Sequence, residues 1–372
     1  MTDVLVSGAG VAGITTAYWL AHYGFTVTVV ERHDGLRPGG QAIDVRGPAL
    51  TVLERMMLRA AADHQRTRIR GASVVDRDGN ELSEDTESTP TGGLIANPDI
   101  EILRDDLVEL LYDATKLNVE FMFGDSVVAL EDDGSSVTVT FEQGDTRAFD
   151  LVIGADGLHS TVRRLVFGAE EQFLERLGTY AAIFTVPNFL DLDYWQTWHY
   201  GDHTMVGVYS ARNNSEARAM VGFMDPDAHI DYRDTEAQFA ELEKRMADDG
   251  WVRPQLLEYM RAAPDFYFDE MAQIKMDRWS KGRVALVGDA GYCCSPLSGQ
   301  GTSVALLGAY VLAGELKAAG EDYELGFANY HNEFADFVVR NQWLVVDNIP
   351  GGAPIPQEVF DRIVNSITLK DY

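Results

Sequence analysis

The chain has 372 residues, of which 46% are hydrophobic and 24% charged, enough for a large buried core in an ordinary globular protein. Its 59 acidic and 30 basic residues give a net charge of −29, which argues against nucleic acid and membrane surfaces as partners. The two cysteines, Cys293 and Cys294, are sequence neighbours, too close for an ordinary disulfide and too few for a structural zinc site. We therefore predict no metal centre.

The first predicted unit is a strand, a glycine-rich turn, a helix and a second strand. Residues 4–7 and 26–30 have the apolar composition of buried strands, and residues 12–23 are expected to form the helix between them. Such a turn lets a pyrophosphate approach the backbone, and an acid at the end of the second strand binds ribose hydroxyls. The candidate cofactor-binding residues in this unit are Gly8, Gly10, Val11, Ala12, Gly13, Glu31 and Arg32.

A loop, two helices and a hairpin are expected next. Their predicted bounds are a glycine-rich loop over residues 34–47, a helix over 48–62, a hairpin over 69–95 and an amphipathic helix over 105–116. We expect Arg46, in the loop, to lie near the ring system of a bound cofactor. Arg104 has two interpretations: it contacts the pyrophosphate, or it pairs with acids on its own helix.

Further strands lead to a third polar signal. They are predicted over residues 119–123, 127–131, 137–141 and 149–153. The last of them delivers Asp156-Gly157, with Ser160 shortly after. Asp156 can bind the cofactor, or it can serve turn and helix-cap chemistry together with Ser160, and both interpretations stay open.

From about residue 178 to residue 224 the strand-like runs become rich in aromatic residues. An aromatic sheet is a good wall for a planar substrate, and it is equally what a buried antiparallel sheet needs for its core. A helix over residues 235–249 and a return strand over 266–274 follow. The candidate substrate-binding residues are Trp198, His199, Tyr209, Arg212 and Met224, although a histidine such as His199 is more often an ordinary sheet residue.

A second cofactor motif lies nearly three hundred residues after the first. A strand ends at Gly288-Asp289, and a turn with Pro296, Gly299 and Gly301 leads into a long apolar helix. The carboxylate can accept hydrogen bonds from ribityl hydroxyls, and the helix N-terminus favours the negative charge that gathers on a reduced flavin. Two such motifs indicate one extended cofactor, FAD. A simple NAD-dependent dehydrogenase would leave the Gly288-Asp289 pair unexplained.

These elements predict an α/β fold: a Rossmann-like FAD-binding lobe of the GR2 type with an inserted antiparallel-sheet substrate lobe and C-terminal helices. The tail is expected to be helical through Asn341, to break at residues 350–352 and to resume as a helix over 357–366. The expected domains are a discontinuous FAD-binding domain (1–70, 96–177 and 275–340), a substrate-binding sheet domain (71–95 and 178–274) and a C-terminal helical segment (341–372).

Three ordered signatures make the chain resemble the single-component FAD monooxygenases related to p-hydroxybenzoate hydroxylase. They are the glycine turn of residues 8–13, Gly154-Ala155-Asp156-Gly157 and Gly288-Asp289-Ala290. Within that group the chain is most similar to the tetracycline-inactivating monooxygenases, the tetracycline destructases, over residues 39–47, 101–109, 265–268, 273–276, 297–301 and 365–367. Many relatives continue the last signature with alanine and histidine, where this chain has Gly291 and Tyr292.

The resemblance implies a cofactor set and a mechanism. FAD is bound tightly but not covalently, NADPH reduces it as a co-substrate, and dioxygen then gives a C4a-hydroperoxyflavin that hydroxylates an electron-rich phenol or enol. Arg46 is the expected catalytic residue, because its charge favours reduced, anionic flavin. By resemblance, the residues that contact FAD or shape the loop at its ring are Glu31, Arg46, Arg104, Asp289, Pro296, Gly299 and Gly301.

The sequence therefore predicts an FAD-dependent, NAD(P)H-consuming monooxygenase that inactivates a tetracycline-type antibiotic. One alternative is a hydroxylase of another aromatic polyketide or xenobiotic, and another is a flavoprotein that binds an aromatic ligand without turning it over. A soluble, cytoplasmic location is expected because no signal peptide precedes the first strand and the apolar run over residues 304–316 is too short to span a bilayer. We also expect a monomer.

Overall fold

The structure is a computed structural model that describes residues 2–247, 250–347 and 355–372. Eleven α-helices lie within these residues. They are α1 (Val11–His22), α2 (Pro48–Arg55), α3 (Arg59–His64), α4 (Arg104–Thr115), α5 (Thr161–Val166), α6 (Thr235–Met246), α7 (Arg253–Ala262), α8 (Asp289–Tyr292), α9 (Gly301–Ala319), α10 (Tyr323–Trp343) and α11 (Gln357–Val364).

The same residues contain twenty β-strands. They are β1 (Asp3–Ser7), β2 (Thr26–Glu31), β3 (Ala42–Val45), β4 (Ala72–Val75), β5 (Glu81–Asp85), β6 (Ser88–Thr89), β7 (Gly93–Leu94), β8 (Ile100–Leu103), β9 (Glu120–Phe123), β10 (Val127–Asp132), β11 (Val137–Phe141), β12 (Thr146–Phe149), β13 (Leu151–Gly154), β14 (Leu174–Val186), β15 (Gln196–Tyr200), β16 (Thr204–Ala211), β17 (Glu216–Met224), β18 (Tyr267–Ile274), β19 (Ser280–Lys281) and β20 (Val284–Leu286).

The first layer is a six-stranded sheet with the order β19–β20–β13–β1–β2–β9. Its neighbouring strands pair in parallel, except for the short antiparallel edge strand β19. The central strand β1 is buried on both faces, since its successive residues Val4, Leu5 and Val6 are all inaccessible to solvent. Burial on both faces is typical of a parallel sheet covered by helices. The carboxyl ends of β1, β2 and β13 meet at one edge of this sheet, where α/β proteins bind their ligands.

The second layer is a seven-stranded sheet with the order β18–β14–β17–β16–β15–β4–β5. Its strands are antiparallel neighbours, except that β4 and β15 pair in parallel. One face of the sheet packs on α6 and α7 through a second core that includes Phe184, Phe223, Leu242 and Met260. Because side chains alternate along each strand, the other face is free to line a cleft.

Helix α9 is long and apolar enough to cross a membrane by length and composition alone. In this fold 78% of its apolar window is buried, and it packs on α1, α2 and α10. A helix that is apolar all round is expected at the centre of a large core, so its composition is accounted for by its position in the fold. The last residues of the chain also pack on it, since Tyr372 Oη donates to Glu315 Oε1 at 2.7 Å.

The predicted α/β fold with an inserted antiparallel sheet is confirmed, but two local predictions are wrong. The expected loop over residues 34–47 contains β3, which pairs with β8. The expected helix over 48–62 is divided into α2 and α3, because Met57 between them has a left-handed backbone (φ 60°). The sequence analysis also missed α7, and α6 ends at Met246. The predicted break at 350–352 lies outside the described residues, as does the end of the helix expected over 235–249.

The hairpin expected over residues 69–95 contributes to the second layer. Its strands β4 and β5 pair with each other, and β4 pairs with β15 from the aromatic region. The two segments assigned to a substrate-binding domain therefore share one sheet. The boundaries of the three expected domains stay predictions.

Candidate active site

A cleft with a volume of about 2050 Å³ runs between the two layers. We call one end the turn half, because turns at the ends of the parallel strands and the start of α9 form it. We call the other end the sheet half, because the free face of the seven-stranded sheet forms it. Residues of the turn half include Gly8, Gly10, Val11, Ala12, Glu31, Arg32, Arg104, Asp156, Asp289, Pro296, Gly299 and Gly301, and residues of the sheet half include Val74, Ile183, Trp198, Met205, Met220 and Tyr267.

The glycine turn after β1 has three glycines with different surroundings. Gly8 has a left-handed backbone (φ 107°), and a methyl group at Gly13 would overlap the Gly8 carbonyl oxygen, so helix α1 packs directly on the turn. A Cβ at Gly10, in contrast, would meet no atom within 4 Å. Gly13 thus supports the turn from behind, whereas Gly10 leaves open space where a pyrophosphate can approach the N-terminus of α1.

Glu31 ends β2 and holds the neighbouring backbone. Its Oε2 accepts a hydrogen bond from Ala9 N at 2.8 Å, and its Oε1 accepts one from His33 N at 3.0 Å. The carboxylate also lines the cleft beside Arg32. It is therefore fixed at the edge of the cleft, and each oxygen keeps a lone pair for a hydroxyl donor, while its contact with a ribose stays a prediction.

Arg104, at the start of α4, crosses the loop that precedes β3. Its Nη2 donates to the Arg37 carbonyl oxygen at 2.8 Å and to the Gly39 carbonyl oxygen. Its Nε is buried and has no hydrogen-bond partner among the described residues. Burial lowers the pKa of Arg104 to about 10, which still leaves the side chain charged at neutral pH. A buried cation with an unused N–H group fits an anionic ligand.

The second motif forms the far end of the turn half. Asp289 is the first residue of α8, it lines the cleft, and burial raises its pKa. The turn that follows brings Pro296, Gly299 and Gly301 to the cleft at the N-terminus of α9. Gly299 has a left-handed backbone (φ 64°) that a glycine adopts without strain. Positive helix-end potential and a carboxylate thus lie at the same end of the cleft.

Arg46 lies in a buried group of carboxylates. Its Nη2 donates to Asp44 Oδ2 at 2.8 Å and to the Gly92 carbonyl oxygen at 3.0 Å, and its Nη1 is 3.5 Å from Asp99 Oδ2. Its guanidinium carbon is 5.4 Å from the ring centre of Phe360 on α11. The Nε of Arg46 is buried and has no hydrogen-bond partner among the described residues.

The side-chain carboxyl group of Asp44 has a pKa well above its usual value. Burial raises the pKa of Asp44 to about 7; Arg46 lowers it, but Glu101 and Asp99 add further negative charge nearby. The pair is tied to α9 by Ser303, whose Oγ accepts from Arg46 N at 2.9 Å and donates to the Asp44 carbonyl oxygen at 3.3 Å. The arginine is therefore held by its side-chain partners and by its backbone.

Asp156 has the capping contacts expected from one of its two interpretations. Its Oδ2 accepts from Val162 N at 3.1 Å, its Oδ1 accepts from the Ser160 hydroxyl, and Ser160 caps α5 by accepting from Arg163 N at 2.9 Å. Asp156 also lines the cleft. The two interpretations are thus compatible, and its contact with a cofactor stays a prediction.

Sequence reasoning missed a charged group beside this motif. His159 lines the cleft, its Nδ1 is 2.8 Å from Glu170 Oε1, its Nε2 is 3.2 Å from Asp269 Oδ1, and its ring stacks on Tyr232 with centroids 3.6 Å apart. Burial lowers the pKa of His159, but hydrogen bonds to Asp269 and Glu170 outweigh burial and raise it to about 9. Only its position two residues after Gly157 was a signal in the sequence, because the two carboxylates lie 11 and 110 residues further along the chain.

Of the five candidate substrate-binding residues, only Trp198 lines the cleft. The hydroxyl of Tyr209 is fully buried and accepts from Ala42 N at 3.0 Å. His199 points to the opposite face of its strand, with Nδ1 3.0 Å from the Val75 carbonyl oxygen. The other two, Arg212 and Met224, also lie outside the cleft lining.

Arg212 forms ion pairs outside the cleft. Its Nη2 is 2.7 Å from Asp105 Oδ2 and 2.9 Å from Asp106 Oδ1, and its Nη1 is 2.9 Å from Glu216 Oε1. These contacts join the start of α4 to β17. They give Arg212 a structural explanation that does not require a substrate.

The turn half fits the predicted FAD in three respects. Gly10 leaves open space at the N-terminus of α1, Arg104 and Arg46 each keep one buried N–H group without a partner among the described residues, and Asp289 supplies a carboxylate at the far end. Donors for a pyrophosphate and an acceptor for a ribityl chain are thus present in the same cleft. The individual contacts stay predictions.

Comparison with known proteins agrees with this geometry. Residues 1–341 match the family described as FAD binding domain. The chain is 77% identical to an uncharacterized protein of Mycobacterium tuberculosis over 372 residues, which is 100% of both chains. It is 40% identical to a flavin-dependent monooxygenase of Legionella longbeachae, over 99% of this chain and 98% of that protein. The crystal structure of tetracycline destructase Tet(51) is similar with a TM-score of 0.91 and 38% identity, over 100% of both chains.

The family match covers most of the chain, and the monooxygenase relative is similar over nearly its whole length. These findings confirm the predicted flavoprotein and the predicted reaction class. The chain belongs to the FAD binding domain family and is a flavin-dependent monooxygenase.

Proposed function

We propose that this monooxygenase hydroxylates a polycyclic phenol or enol of the tetracycline type, consuming NADPH and dioxygen, and thereby inactivates the antibiotic. The observation that carries the proposal is the similarity to tetracycline destructase Tet(51), which extends over the whole of both chains with a TM-score of 0.91. A likeness of this extent includes the sheet half of the cleft as well as the turn half. It therefore supports a substrate class as well as a cofactor.

FAD, when bound, supplies the activation of dioxygen and the transfer of one oxygen atom. We assign its adenosine and pyrophosphate to the glycine turn, Glu31 and Arg104, and its ribityl chain and ring to Asp289 and the start of α9. These residues bind and orient the cofactor through backbone N–H groups, two helix N-termini and three charged side chains. Their task is positioning, since none of them needs to form a covalent bond.

Arg46 has a second task in this proposal. Its guanidinium lines the cleft between the carboxylates of Asp44 and Asp99 and the ring of Phe360. A charge that is buried and held in place stabilises an anion without reorganising during the reaction. We therefore assign to Arg46 the stabilisation of negative charge on the flavin and on an ionised substrate.

The sheet half supports an aromatic substrate by its composition. The side chains that line it are mostly apolar, and they include Trp198, Met205, Met220 and Ile183. Such a surface binds a planar ring system and excludes water from the site of oxygen transfer. Phe360 and its neighbours on α11 line the cleft from the opposite side.

NADPH is proposed as a transient co-substrate. NADPH carries several negative charges, and the protein also has a negative net charge, −29. A local group of cations therefore has to offset the repulsion between the protein and NADPH. Arg32 and Arg37 line the turn half and supply such a group. A cytoplasmic, monomeric enzyme is part of the same proposal, and size-exclusion chromatography of the purified protein tests the monomer.

The function is tested by incubating the purified, FAD-loaded protein with NADPH and a tetracycline, followed by mass spectrometry of the drug. We expect drug-stimulated NADPH oxidation and a product heavier by one oxygen atom, or fragments derived from it. Oxidation of NADPH with unchanged drug would redirect the search to other polyketides and phenols. Binding of the drug without any NADPH oxidation would support a ligand-binding flavoprotein in place of the enzyme.

A further inference from the structure

The register of the seven-stranded sheet aligns one row of residues across six strands. Each member is paired with the next in a neighbouring strand, and side chains in such a row point to the same face. The row is Val74, Trp198, Gly207, Met220, Ile183 and Tyr267. All of its members except Gly207 line the cleft, so this row is the floor of the sheet half.

Gly207 is the one gap in that floor, and the indole of Trp198 covers it. A Cβ at Gly207 would lie no more than 2.6 Å from Cζ3, Cε3 and Cη2 of Trp198. Side chains in a strand usually stand perpendicular to the sheet. Here the benzene ring of the indole instead lies across β16, in the space that a side chain at Gly207 would take. Only 1% of Trp198 is exposed, although it borders the cleft.

Hydrogen bonds and packing hold the indole in this position. Trp198 Nε1 donates to Gln196 Oε1 at 2.9 Å, and the amide of Gln196 bonds in turn to the Thr91 hydroxyl. Ala72 and Tyr209 pack against the same ring in a small apolar cluster. The orientation is thus fixed by one donor, by its neighbours and by the absence of a side chain at Gly207.

A flat indole lowers the floor of the cleft. If the ring stood up from the sheet, it would project into the cleft above its own strand β15 and narrow the space over the floor in which a planar ligand would stack. We propose that Gly207 is a specificity-determining position, because it keeps Trp198 flat and so admits a rigid system of several fused rings. This inference rests on the proposed function and adds the feature that selects the size of the substrate.

The test substitutes Gly207 by alanine and measures ligand binding to the FAD-loaded enzyme. The backbone of Gly207 lies outside the left-handed region, so alanine is compatible with the strand, and the conflict is with Trp198 alone. We expect Gly207→Ala to raise the Kd for tetracycline by about tenfold or more, as measured by quenching of ligand fluorescence, with unchanged FAD content. The double variant Gly207→Ala, Trp198→Phe should recover most of the lost affinity, because the smaller ring leaves room for the methyl group.

Gly222 provides a matched control on the same sheet. A Cβ there would meet the Met205 methyl group at 3.2 Å and the Tyr180 carbonyl oxygen at 3.1 Å, and the methionine can move. We expect Gly222→Ala to change the Kd by less than about threefold. The proposal is overturned if Gly207→Ala binds tetracycline as the wild type does, or if the double variant folds and still fails to recover affinity.

A second probe separates this inference from the proposed function. If the wild type binds no tetracycline, the substrate assignment fails, and the same variants are titrated with 1,4-dihydroxyanthraquinone, a planar compound of three fused rings. Loss of that ligand in Gly207→Ala and its recovery in the double variant would support the role of Gly207 alone. Failure of the wild type to bind either compound would overturn both.

Discussion

The two halves of the cleft are encoded differently. The turn half depends on backbone geometry and on short motifs, each of which is local in sequence: Gly8, Gly10, Gly13 and Glu31, for example, lie within one strand–helix–strand unit. The floor of the sheet half depends on strand register, which brings together residues as far apart as Val74 and Tyr267. A cofactor site can therefore be recognised from local motifs, whereas a substrate site becomes visible only when the strands are paired.

The largest effects are expected from the glycines of the turn half, and two of them separate folding from cofactor binding. Gly13→Ala places a methyl group on the Gly8 carbonyl oxygen, and overpacking of this kind costs about 1–3 kcal/mol. We expect it to lower the melting temperature and to abolish FAD retention. Gly10→Ala meets no protein atom, so the fold should remain stable while FAD affinity falls by about 100-fold.

These two variants are compared by thermal unfolding of the FAD-free protein and by flavin content after gel filtration. We expect both variants to lose flavin, but only Gly13→Ala to have a lower melting temperature. Normal flavin content in Gly10→Ala would show that the pyrophosphate does not approach this turn, and the assignment of the turn half would then be wrong.

The next largest effect is expected at Asp289. Asp289→Ala removes the carboxylate at the far end of the turn half, and a hydrogen bond to a charged group contributes about 1.5–3 kcal/mol. We expect FAD affinity to fall or flavin reduction to slow by about tenfold or more. Titration with FAD and stopped-flow reduction by NADPH measure these quantities. A variant that binds and reduces FAD normally would remove Asp289 from the proposed ribityl site.

Sequence reasoning found the turn half because each of its signals is local. Glycines with a strand before and a helix after them, an acid at the next strand end, and Gly288-Asp289 before an apolar helix all have a direct chemical meaning. The same reasoning located the aromatic sheet but selected its residues poorly. Alternation along a strand divides residues between two faces without telling which face is open, so His199 could not be distinguished from Trp198. Tyr209 shares the face of Trp198 but is covered there by Ala42, a partner that the sequence does not reveal.

Long-range partners were also beyond the reach of the sequence. The loop before α2 contains β3 only because β8, nearly sixty residues later, pairs with it. Likewise, Arg46 could be placed near a cofactor, but its carboxylate partner Asp99 and the ring of Phe360 come from distant segments. Propensity and pattern describe an element, whereas the counter-charges of a buried arginine depend on the packing of several elements.

The pH dependence of stability sharpens the comparison at Asp44, where the halves meet. Burial raises the pKa of Asp44 from 3.8 to about 7, so the folded state binds this proton more tightly than the unfolded state does. Its contribution to stability is therefore greatest at low pH and is lost as pH rises from 3.8 to about 7. Asp44→Asn should reduce the slope of stability against pH in this window by up to one proton, about 1.4 kcal/mol per pH unit.

Urea unfolding of the FAD-loaded protein at a series of pH values measures this slope. Glu236→Gln is a suitable control, because the side chain of Glu236 is 79% exposed. An unchanged slope in Asp44→Asn would mean that the buried carboxylate stays ionised beside Arg46 throughout the window.

A smaller effect is expected from the cover of the sheet half. Phe360 lies against the Arg46 guanidinium and lines the cleft, and an interaction of this kind contributes about 0.5–2 kcal/mol. Phe360→Ala should therefore raise the KM for the substrate by about threefold to tenfold, with unchanged FAD content. Steady-state kinetics and flavin absorbance measure both. A lower flavin content would mean that α11 supports the turn half as well.

The smallest effect is expected at Arg212. A variant at this residue distinguishes a substrate ligand, as the sequence pattern suggested, from a structural ion-pair partner, as the fold indicates. The sequence pattern selected it as a substrate ligand, whereas in the fold it pairs with Asp105, Asp106 and Glu216, and 40% of its side chain is exposed. Partly exposed ion pairs contribute about 0–1 kcal/mol each, so Arg212→Ala should lower stability slightly and leave KM unchanged. Steady-state kinetics and thermal unfolding of the variant test both parts. If KM rises while the melting temperature does not change, the cleft must close on Arg212 when substrate binds, and the floor row would then be only part of the substrate site.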